Sequence, residues 1–128
     1  MHIYQKQEIH SPLVTAHGEV IYEMIGRGVG EISERHSVAL VVIPPGKASL
    51  LHYHPETEES YFILKGQARM ILGEEEAMMR PGQIVLIQAP KPHKIINTGA
   101  EDLEFLAFCV PAWEPSNTVW LEDEAGSA

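Results

Sequence analysis

The chain has 128 residues, of which 45% are hydrophobic and 21% charged, and this fits one globular domain with no room for a second. Its formal net charge of −9 argues against nucleic acid and anionic membrane as partners, because both attract basic surfaces. A single cysteine, Cys109, excludes an internal disulfide. The start of the chain lacks the apolar segment of a secretion signal and no apolar run is long enough to cross a membrane, so a cytoplasmic protein is expected.

Short apolar runs separated by glycine- and proline-containing turns recur along the chain, a pattern typical of β structure. In chain order, the predicted strands are 20–25, 37–43, 49–54, 60–64, 68–72, 84–88, 93–97 and 103–110. About eight strands in one small domain predict an antiparallel sandwich or barrel.

The single domain, residues 1–128, is expected to have its core barrel at about 18–110. An N-terminal arm, 1–17, precedes the barrel and could add an edge strand, including one across a dimer. A C-terminal tail, 111–128, follows it.

Two features of the sequence outside the predicted strands also lead to expectations. Trp113 and Trp120 of the tail are expected to pack on the barrel exterior or on a partner subunit, with substrate gating as the less favoured alternative. The acidic runs Glu74–Glu76 and Glu122–Glu124 are expected to be solvated loop or tail.

Two histidines one residue apart, His52 and His54, are the main chemical feature of the chain. On a strand, residues i and i+2 point to the same face, so both imidazoles can aim at one point. A proline-led turn follows, and a hairpin of that length would bring Glu59 back beside the pair. Glu58 is a competing carboxylate that the spacing barely separates from Glu59. Glu59 is favoured because it is in phase with the apolar strand that follows.

A further histidine, His93, lies on a predicted apolar strand. A lone histidine is usually a surface or satisfied core residue, and His2, His10, His17 and His36 are interpreted in that way. If His52, His54, Glu59 and His93 were all ordinary surface or core residues, the position of each one would need its own explanation. The cluster is therefore predicted to hold one divalent transition metal, with the ligands His52, His54, Glu59 and His93. Three imidazoles and a carboxylate suit Fe, Mn, Ni, Zn, Co or Cu and leave two positions of an octahedral shell open.

The same residues resemble the two conserved motifs of the cupin superfamily. The first motif, G-x5-H-x-H-x4-E-x6-G, is matched at Gly46, His52, His54, Glu59 and Gly66, and this favours Glu59 over Glu58. The second motif, G-x5-P-x-G-x2-H-x3-N, is matched at Gly82, His93 and Asn97. It departs at Gln88, where the motif has proline, and at Pro90, where it has glycine.

The resemblance implies an all-β, antiparallel double-stranded β-helix, or jelly-roll barrel, like the small single-domain cupins that are commonly homodimers. It also implies that the four cluster residues are the metal ligands. Strand alternation then predicts the pocket-lining residues Leu50, Tyr61, Ile63, Ile95, Phe105 and Ala107. Tyr61 is a candidate acid or base, although a core aromatic is the favoured interpretation. Cys109 is expected to be a small buried hydrophobe.

Three functions are compatible with such a site. The first is a small-molecule metalloenzyme of the oxygenase, isomerase, decarboxylase or lyase type, with substrate or O₂ at the open metal positions. The second is a non-catalytic, metal-dependent module that binds a sugar or a small acid. The third is a cupin whose metal is chiefly structural. Fold alone does not choose among them.

Overall fold

The computed structural model describes residues 1–28 and 31–123, and within them the chain forms two β-sheets. The strands are β1 (Leu13–Val14), β2 (Val20–Gly26), β3 (Glu31–Ile32), β4 (Ser37–Ile43), β5 (His52–Tyr53), β6 (Glu58–Lys65), β7 (Ala68–Leu72), β8 (Glu75–Met79), β9 (Ile84–Ile87), β10 (His93–Asn97), β11 (Leu103–Val110) and β12 (Val119–Trp120). Short 3-10 helices lie at Lys6–Glu8 and Pro115–Asn117. These residues include no helix long and apolar enough to cross a membrane.

The larger sheet has the strand order β1-β2-β4-β11-β6-β9, with β3 parallel beside β2. The smaller sheet has the order β12-β5-β10-β7-β8, and all its pairs are antiparallel. Strands that pair within a sheet are mostly not consecutive in sequence, as in a jelly roll. The predicted all-β, double-stranded β-helix is confirmed.

The core lies between the two sheets, because alternate residues of each strand point inward. Phe105 and Ile63 are paired across β11 and β6, and both are almost fully buried. Ile95 and Met70 are paired across β10 and β7 and close the core from the smaller sheet. The same alternation points the next residue of each strand to the outside of the barrel.

The continuous apolar runs predicted their strands well, and β4, β7, β10 and β11 have the predicted bounds. The strand predicted at 49–54 is shorter, since only His52–Tyr53 pair with neighbouring strands. Before that point, single backbone bonds, from Ser49 N to Ile95 O and from Leu121 N to Leu51 O, are supplemented by side chains. The hydroxyl of Ser49 accepts from Ile95 N at 2.9 Å, and Glu122 Oε1 accepts from Leu51 N at 2.7 Å.

The expectation of solvated acidic loops was wrong in part. Glu75 and Glu76 belong to β8, which pairs with β7 through a tight turn at Gly73, where φ is +60°. The carboxylates stay exposed because β8 is an edge strand. Glu122 is not solvated tail either, since its carboxylate lies 2.5 Å from Lys94 Nζ and is largely buried. Glu124 and the rest of 124–128 lie outside the described residues.

Part of the predicted N-terminal arm is an edge strand of its own chain. Leu13 and Val14 of β1 pair antiparallel with β2. The tight turn that joins β1 to β2 is closed by a hydrogen bond from Gly18 N to Thr15 O. This hairpin brings Thr15, Ala16, His17 and Glu19 over one end of the barrel, where they line its cavity.

Candidate metal centre

The structure brings the four residues of the predicted cluster together at one end of the barrel. His52 lies on β5, His54 follows that strand, Glu59 lies on β6 and His93 lies on β10. One nitrogen or oxygen atom from each lies within 4.8 Å of the others, and all four residues are buried. His52 and His93 are direct partners across the antiparallel β5–β10 pair, so sheet register fixes their separation.

The three imidazoles are oriented in the same way. Each Nδ1 lies within hydrogen-bond distance of a backbone carbonyl: Leu50 O for His52 at 2.7 Å, Asn117 O for His54 at 2.8 Å and Lys91 O for His93 at 3.1 Å. A carbonyl oxygen only accepts, so Nδ1 must carry the proton in all three rings. The lone pair of each neutral imidazole is then on Nε2, which is the arrangement that metal-bound histidines adopt.

The carboxylate of Glu59 has a different partner for each oxygen. Oε2 accepts from the Cys109 thiol at 3.1 Å, whereas Oε1 lies 2.9 Å from His93 Nε2 and 3.4 Å from His54 Nε2. Glu59 Oε1 and His93 Nε2 are buried with no hydrogen-bond partner among the described residues. Several buried lone pairs that converge without a donor are costly unless a cation lies among them. The residues present therefore fit a divalent metal ion.

The pKa values of His54 and Glu59 reflect the close contact between these two side chains. Burial opposes the charge on His54, but the Glu59 carboxylate outweighs it and raises the pKa of His54. Burial also opposes ionisation of Glu59, yet His54 and His93 hold the pKa of this carboxyl below its usual range. Burial and the neighbouring His93 lower the pKa of His52 to about 4, so this imidazole is neutral at pH 7.

A cavity of about 1180 Å³ lies beside the centre, and His52, His54 and Glu59 are part of its wall. Four of the predicted pocket residues also line it: Leu50, Tyr61, Phe105 and Ala107. Ile63 and Ile95 do not, because they lie deeper, fully buried in the core between the sheets.

Tyr61 packs like a core aromatic. It is 4% exposed, with its ring centroid 4.6 Å from that of Phe105 and 5.9 Å from that of His93. Burial and the negative charge of Glu59 raise the pKa of its phenol well above the usual value. The phenol is therefore neutral and suited to donate a hydrogen bond rather than to act as a base.

Cys109 is buried, as expected. Burial and the adjacent Glu59 raise the pKa of its thiol far above the usual range, so it is not a reactive thiolate. Sequence analysis missed its contact with Glu59, which follows from the direct pairing of the two residues across β11 and β6.

The cavity wall includes residues that sequence analysis did not place there. Trp113 and Trp120 line the cavity, and Trp120 has its ring centroid 5.2 Å from that of His52. Trp113 is half-buried, whereas Trp120 is 54% exposed at the barrel end, where β12 pairs with β5 and carries the tail back over the cavity. That pairing joins Trp120 to His52, 68 positions apart, and no local pattern signals it.

His17 and Glu19 also line the cavity, with His17 Nε2 2.8 Å from Glu19 Oε1. Their alternation with Ile21 and Glu23, which line the cavity too, is the period-two signal that could have identified this wall. Burial raises the pKa of Glu19 despite its contact with His17. His17 is thus a partly satisfied cavity residue, with Nδ1 buried and unpartnered among the described residues.

The fold and the centre define a barrel protein of the cupin type, and comparison with known proteins agrees. Residues 39–121 match the family model for the cupin domain, so the chain belongs to the cupin family.

Several known proteins are similar over much of this chain. An uncharacterised protein of Methanocaldococcus jannaschii is 32% identical over 87% of this chain and 88% of its own length. The oxalate-binding protein of Thermotoga maritima is 33% identical over 56% of this chain and 60% of its own. The glucose-6-phosphate isomerase of Thermococcus gammatolerans is 34% identical over 69% of this chain and 53% of its own length.

Among solved structures, oxalate decarboxylase OxdC of Bacillus subtilis, studied for its Mn(II) centres, superposes with a TM-score of 0.76 at 25% identity. The match covers 88% of this chain and 30% of that one. The chain therefore corresponds to about a third of the decarboxylase and to about half of the isomerase.

Proposed function

We propose that the protein is a divalent-metal-dependent enzyme that acts on a small molecule inside the barrel. The observation that carries the proposal is the convergence of three Nδ1-anchored imidazoles on one unpartnered carboxylate oxygen. His52, His54, Glu59 and His93 would hold the metal, and Fe, Mn, Ni, Zn, Co and Cu all accept such ligands. When bound, the metal supplies a Lewis acid with two positions for substrate or water.

The protein residues around the centre have separable tasks. The three backbone carbonyls hold the imidazoles in one tautomer, and the Cys109 thiol holds Glu59 Oε2 so that Oε1 faces the centre. The cavity provides a weakly polar space beside the open positions, in which electrostatic interactions are strong. Tyr61, kept neutral by burial, can donate a hydrogen bond beside the centre.

Elemental analysis of untagged protein, purified without added metal, tests the metal assignment. About one equivalent of a divalent transition metal per chain is expected, and the double variant His54→Ala/His93→Ala should contain almost none. His36→Ala removes an exposed histidine that is not a proposed ligand and serves as the control. Its metal content should be unchanged. Circular dichroism checks that each variant is folded. Full metal content in a folded double variant would refute the assignment.

A non-catalytic binding protein is the second candidate, and the similarity to the oxalate-binding protein of Thermotoga maritima favours it. A ligand that raises the melting temperature of the metal-loaded protein and is recovered unchanged would support binding without catalysis. Consumption of that ligand would support the enzyme. A chiefly structural metal predicts instead that chelation unfolds the barrel.

A further inference from the structure

A histidine and a carboxylate of the N-terminal hairpin form a pair on the cavity wall. His17 and Glu19 both line the cavity, and His17 Nε2 lies 2.8 Å from Glu19 Oε1. Their side chains are 13% and 12% exposed, so the pair is largely removed from bulk water. An ionised carboxylate only accepts, so His17 donates its Nε2 proton to Glu19. The imidazole thereby restricts the orientation of the carboxylate.

The pair is not needed to close the hairpin. Thr15 N donates to Glu19 O at 2.9 Å, and Glu19 N donates to Thr15 Oγ1 at 2.9 Å. His17 and Glu19 are two positions apart in one turn, so their contact joins no separate elements of the fold. His17 Nδ1 is buried with no hydrogen-bond partner among the described residues. Removing such a pair from water costs free energy that its contact seldom returns as stability, which favours a role in the cavity.

Glu19 lies close enough to the metal centre for their charges to interact. Burial raises the pKa of Glu19, the hydrogen bond and charge of His17 lower it, and the negative charge of Glu59 raises it further. Burial and the charge of Glu59 raise the pKa of Tyr61, and Glu19 adds to that rise. Both Glu59 and Tyr61 belong to β6, beside the centre. Glu19 and the centre thus face the same part of the cavity.

Two other carboxylates of the cavity are held by groups that do not titrate near pH 7. Glu23 accepts from the backbone N–H groups of residues 27 and 28. Glu122 Oε1 accepts from Lys94 Nζ and Leu51 N. Glu19 differs, because its partner is an imidazole, which gains and loses a proton readily. A carboxyl in a weakly polar cavity, oriented by a histidine, is an arrangement suited to proton transfer.

We propose that Glu19, positioned by His17, exchanges a proton with a hydroxyl-bearing ligand that binds at the metal centre. As the ligand binds, its O–H bond breaks and the proton goes to the Glu19 carboxylate. The ligand oxygen keeps the electron pair, and Glu19 becomes a neutral acid that no longer repels the oxyanion. The same carboxyl returns the proton when the ligand leaves. The inference rests on the proposed metal-dependent function and adds to it the class of ligand and the residue that handles its proton.

Proton counting on the full chain loaded with Mn(II) tests the proposal. The probe is acetohydroxamic acid, a small oxygen ligand that loses its hydroxyl proton when it binds a divalent metal. Calorimetry at pH 7 in buffers of different ionisation enthalpy gives the number of protons released to the buffer. The unaltered protein should release almost none, because Glu19 accepts the proton, whereas Glu19→Gln should release about one per bound probe.

The matched control is Glu23→Gln, which removes a cavity carboxylate of the same strand region and should release almost none. Equal proton release by the unaltered protein and folded Glu19→Gln would overturn the proposal. Failure of the probe to bind the Mn(II)-loaded protein would overturn it as well.

The role of His17 as a positioning residue is tested by the pH at which proton release falls. Release should fall as pH rises through the pKa of Glu19, because only the ionised carboxyl accepts a proton. His17→Leu keeps Glu19 buried but removes the hydrogen bond that lowers its pKa, so the fall should move to higher pH. His17→Gln keeps an N–H donor and should move it less.

Other titratable groups near the pair are unchanged in both His17 variants. Glu59 and Tyr61 face Glu19, and Glu122 faces His17. A pH profile of folded His17→Leu that matches the unaltered protein would therefore refute the role of His17.

Mn(II) uptake, measured first, separates this proposal from the proposed function. If the unaltered protein binds no Mn(II), the proposed function fails, and the role of Glu19 fails with it. If Mn(II) and the probe bind and Glu19→Gln leaves the proton count unchanged, only the role of Glu19 fails.

Discussion

The backbone carbonyl of Asn117 accepts a hydrogen bond from His54 Nδ1 at 2.8 Å, across 63 positions of sequence. The side chain of Asn117 meanwhile donates to Thr57 Oγ1 at 2.6 Å and accepts from Glu56 N at 3.1 Å. One tail residue thus orients a proposed metal ligand and holds the turn that leads from His54 to Glu59. Loss of a partner of this kind typically lowers metal affinity by about 10- to 100-fold.

Asn117→Ala is expected to lower Mn(II) affinity by about tenfold, because both side-chain bonds are lost and the carbonyl is no longer fixed. Asn117→Asp should retain most of the affinity, since the Thr57 hydroxyl can rotate to donate to the new carboxylate. Calorimetry gives the affinity and the Mn(II) electron paramagnetic resonance spectrum reports ligand geometry. Ser116→Ala, an exposed change in the same 3-10 helix, is the control. An affinity for Asn117→Ala equal to that of the control would contradict the prediction.

The thiol of Cys109 should matter as a hydrogen-bond donor and not as a nucleophile. Cys109→Ser keeps a donor for Glu59 Oε2 and should preserve Mn(II) affinity, whereas Cys109→Val removes the donor and should weaken it by up to about tenfold. In the native protein the thiol should not react with Ellman's reagent and should react after unfolding, because it is buried with a raised pKa. Rapid labelling of native protein, or equal affinities of the two variants, would argue against this role.

Features that depend only on residues close in sequence were predicted correctly. The apolar runs 37–43 and 103–110 gave strands with the right bounds, and the spacing of His52 and His54 placed two imidazoles together. Glu59 and His93 were predicted as further ligands, and the motif resemblance favoured Glu59 over Glu58. Their meeting with the pair depends on pairing between distant strands.

The rest of the site depends on contacts that no local pattern encodes. Trp120 reaches His52 only because β12 pairs with β5, and Glu122 is held there by Lys94 and Leu51 N. The edge strand Glu75–Met79 was missed because three consecutive glutamates resemble a loop, although an edge strand tolerates exposed charge well.

Glu19 provides a pH-dependent test of cavity burial. Burial raises the pKa of this carboxyl, so at pH values between its unfolded and folded pKa the folded state holds more protons than the unfolded state. The free energy of unfolding contributed by Glu19 is therefore fully present below the unfolded pKa and is lost as pH rises through the folded pKa. Glu19→Gln removes this dependence, and its melting temperature relative to the unaltered protein should rise between pH 4 and pH 8.

Thermal unfolding of both proteins at several pH values measures that difference. Glu75→Gln, which removes a carboxylate from the exposed edge strand β8, controls for the general effect of lost charge. A difference between Glu19→Gln and the unaltered protein that does not change with pH would show that the carboxyl of Glu19 is not perturbed by burial.

The outer face of the larger sheet leads us to expect a homodimer. Ile84 and Leu86 on the edge strand β9 are 62% and 50% exposed, and Leu64 on the adjacent β6 is 45% exposed. A contiguous apolar patch at a sheet edge is typical of an association surface, and closed twofold pairing is the commonest way to cover it.

Light scattering coupled to size exclusion should give twice the chain mass of 14.3 kDa. The double variant Ile84→Lys/Leu86→Lys should be monomeric with an unchanged circular dichroism spectrum, while Met78→Lys, an exposed apolar residue on β8, should stay dimeric. A monomeric mass for the unaltered protein would refute this assembly.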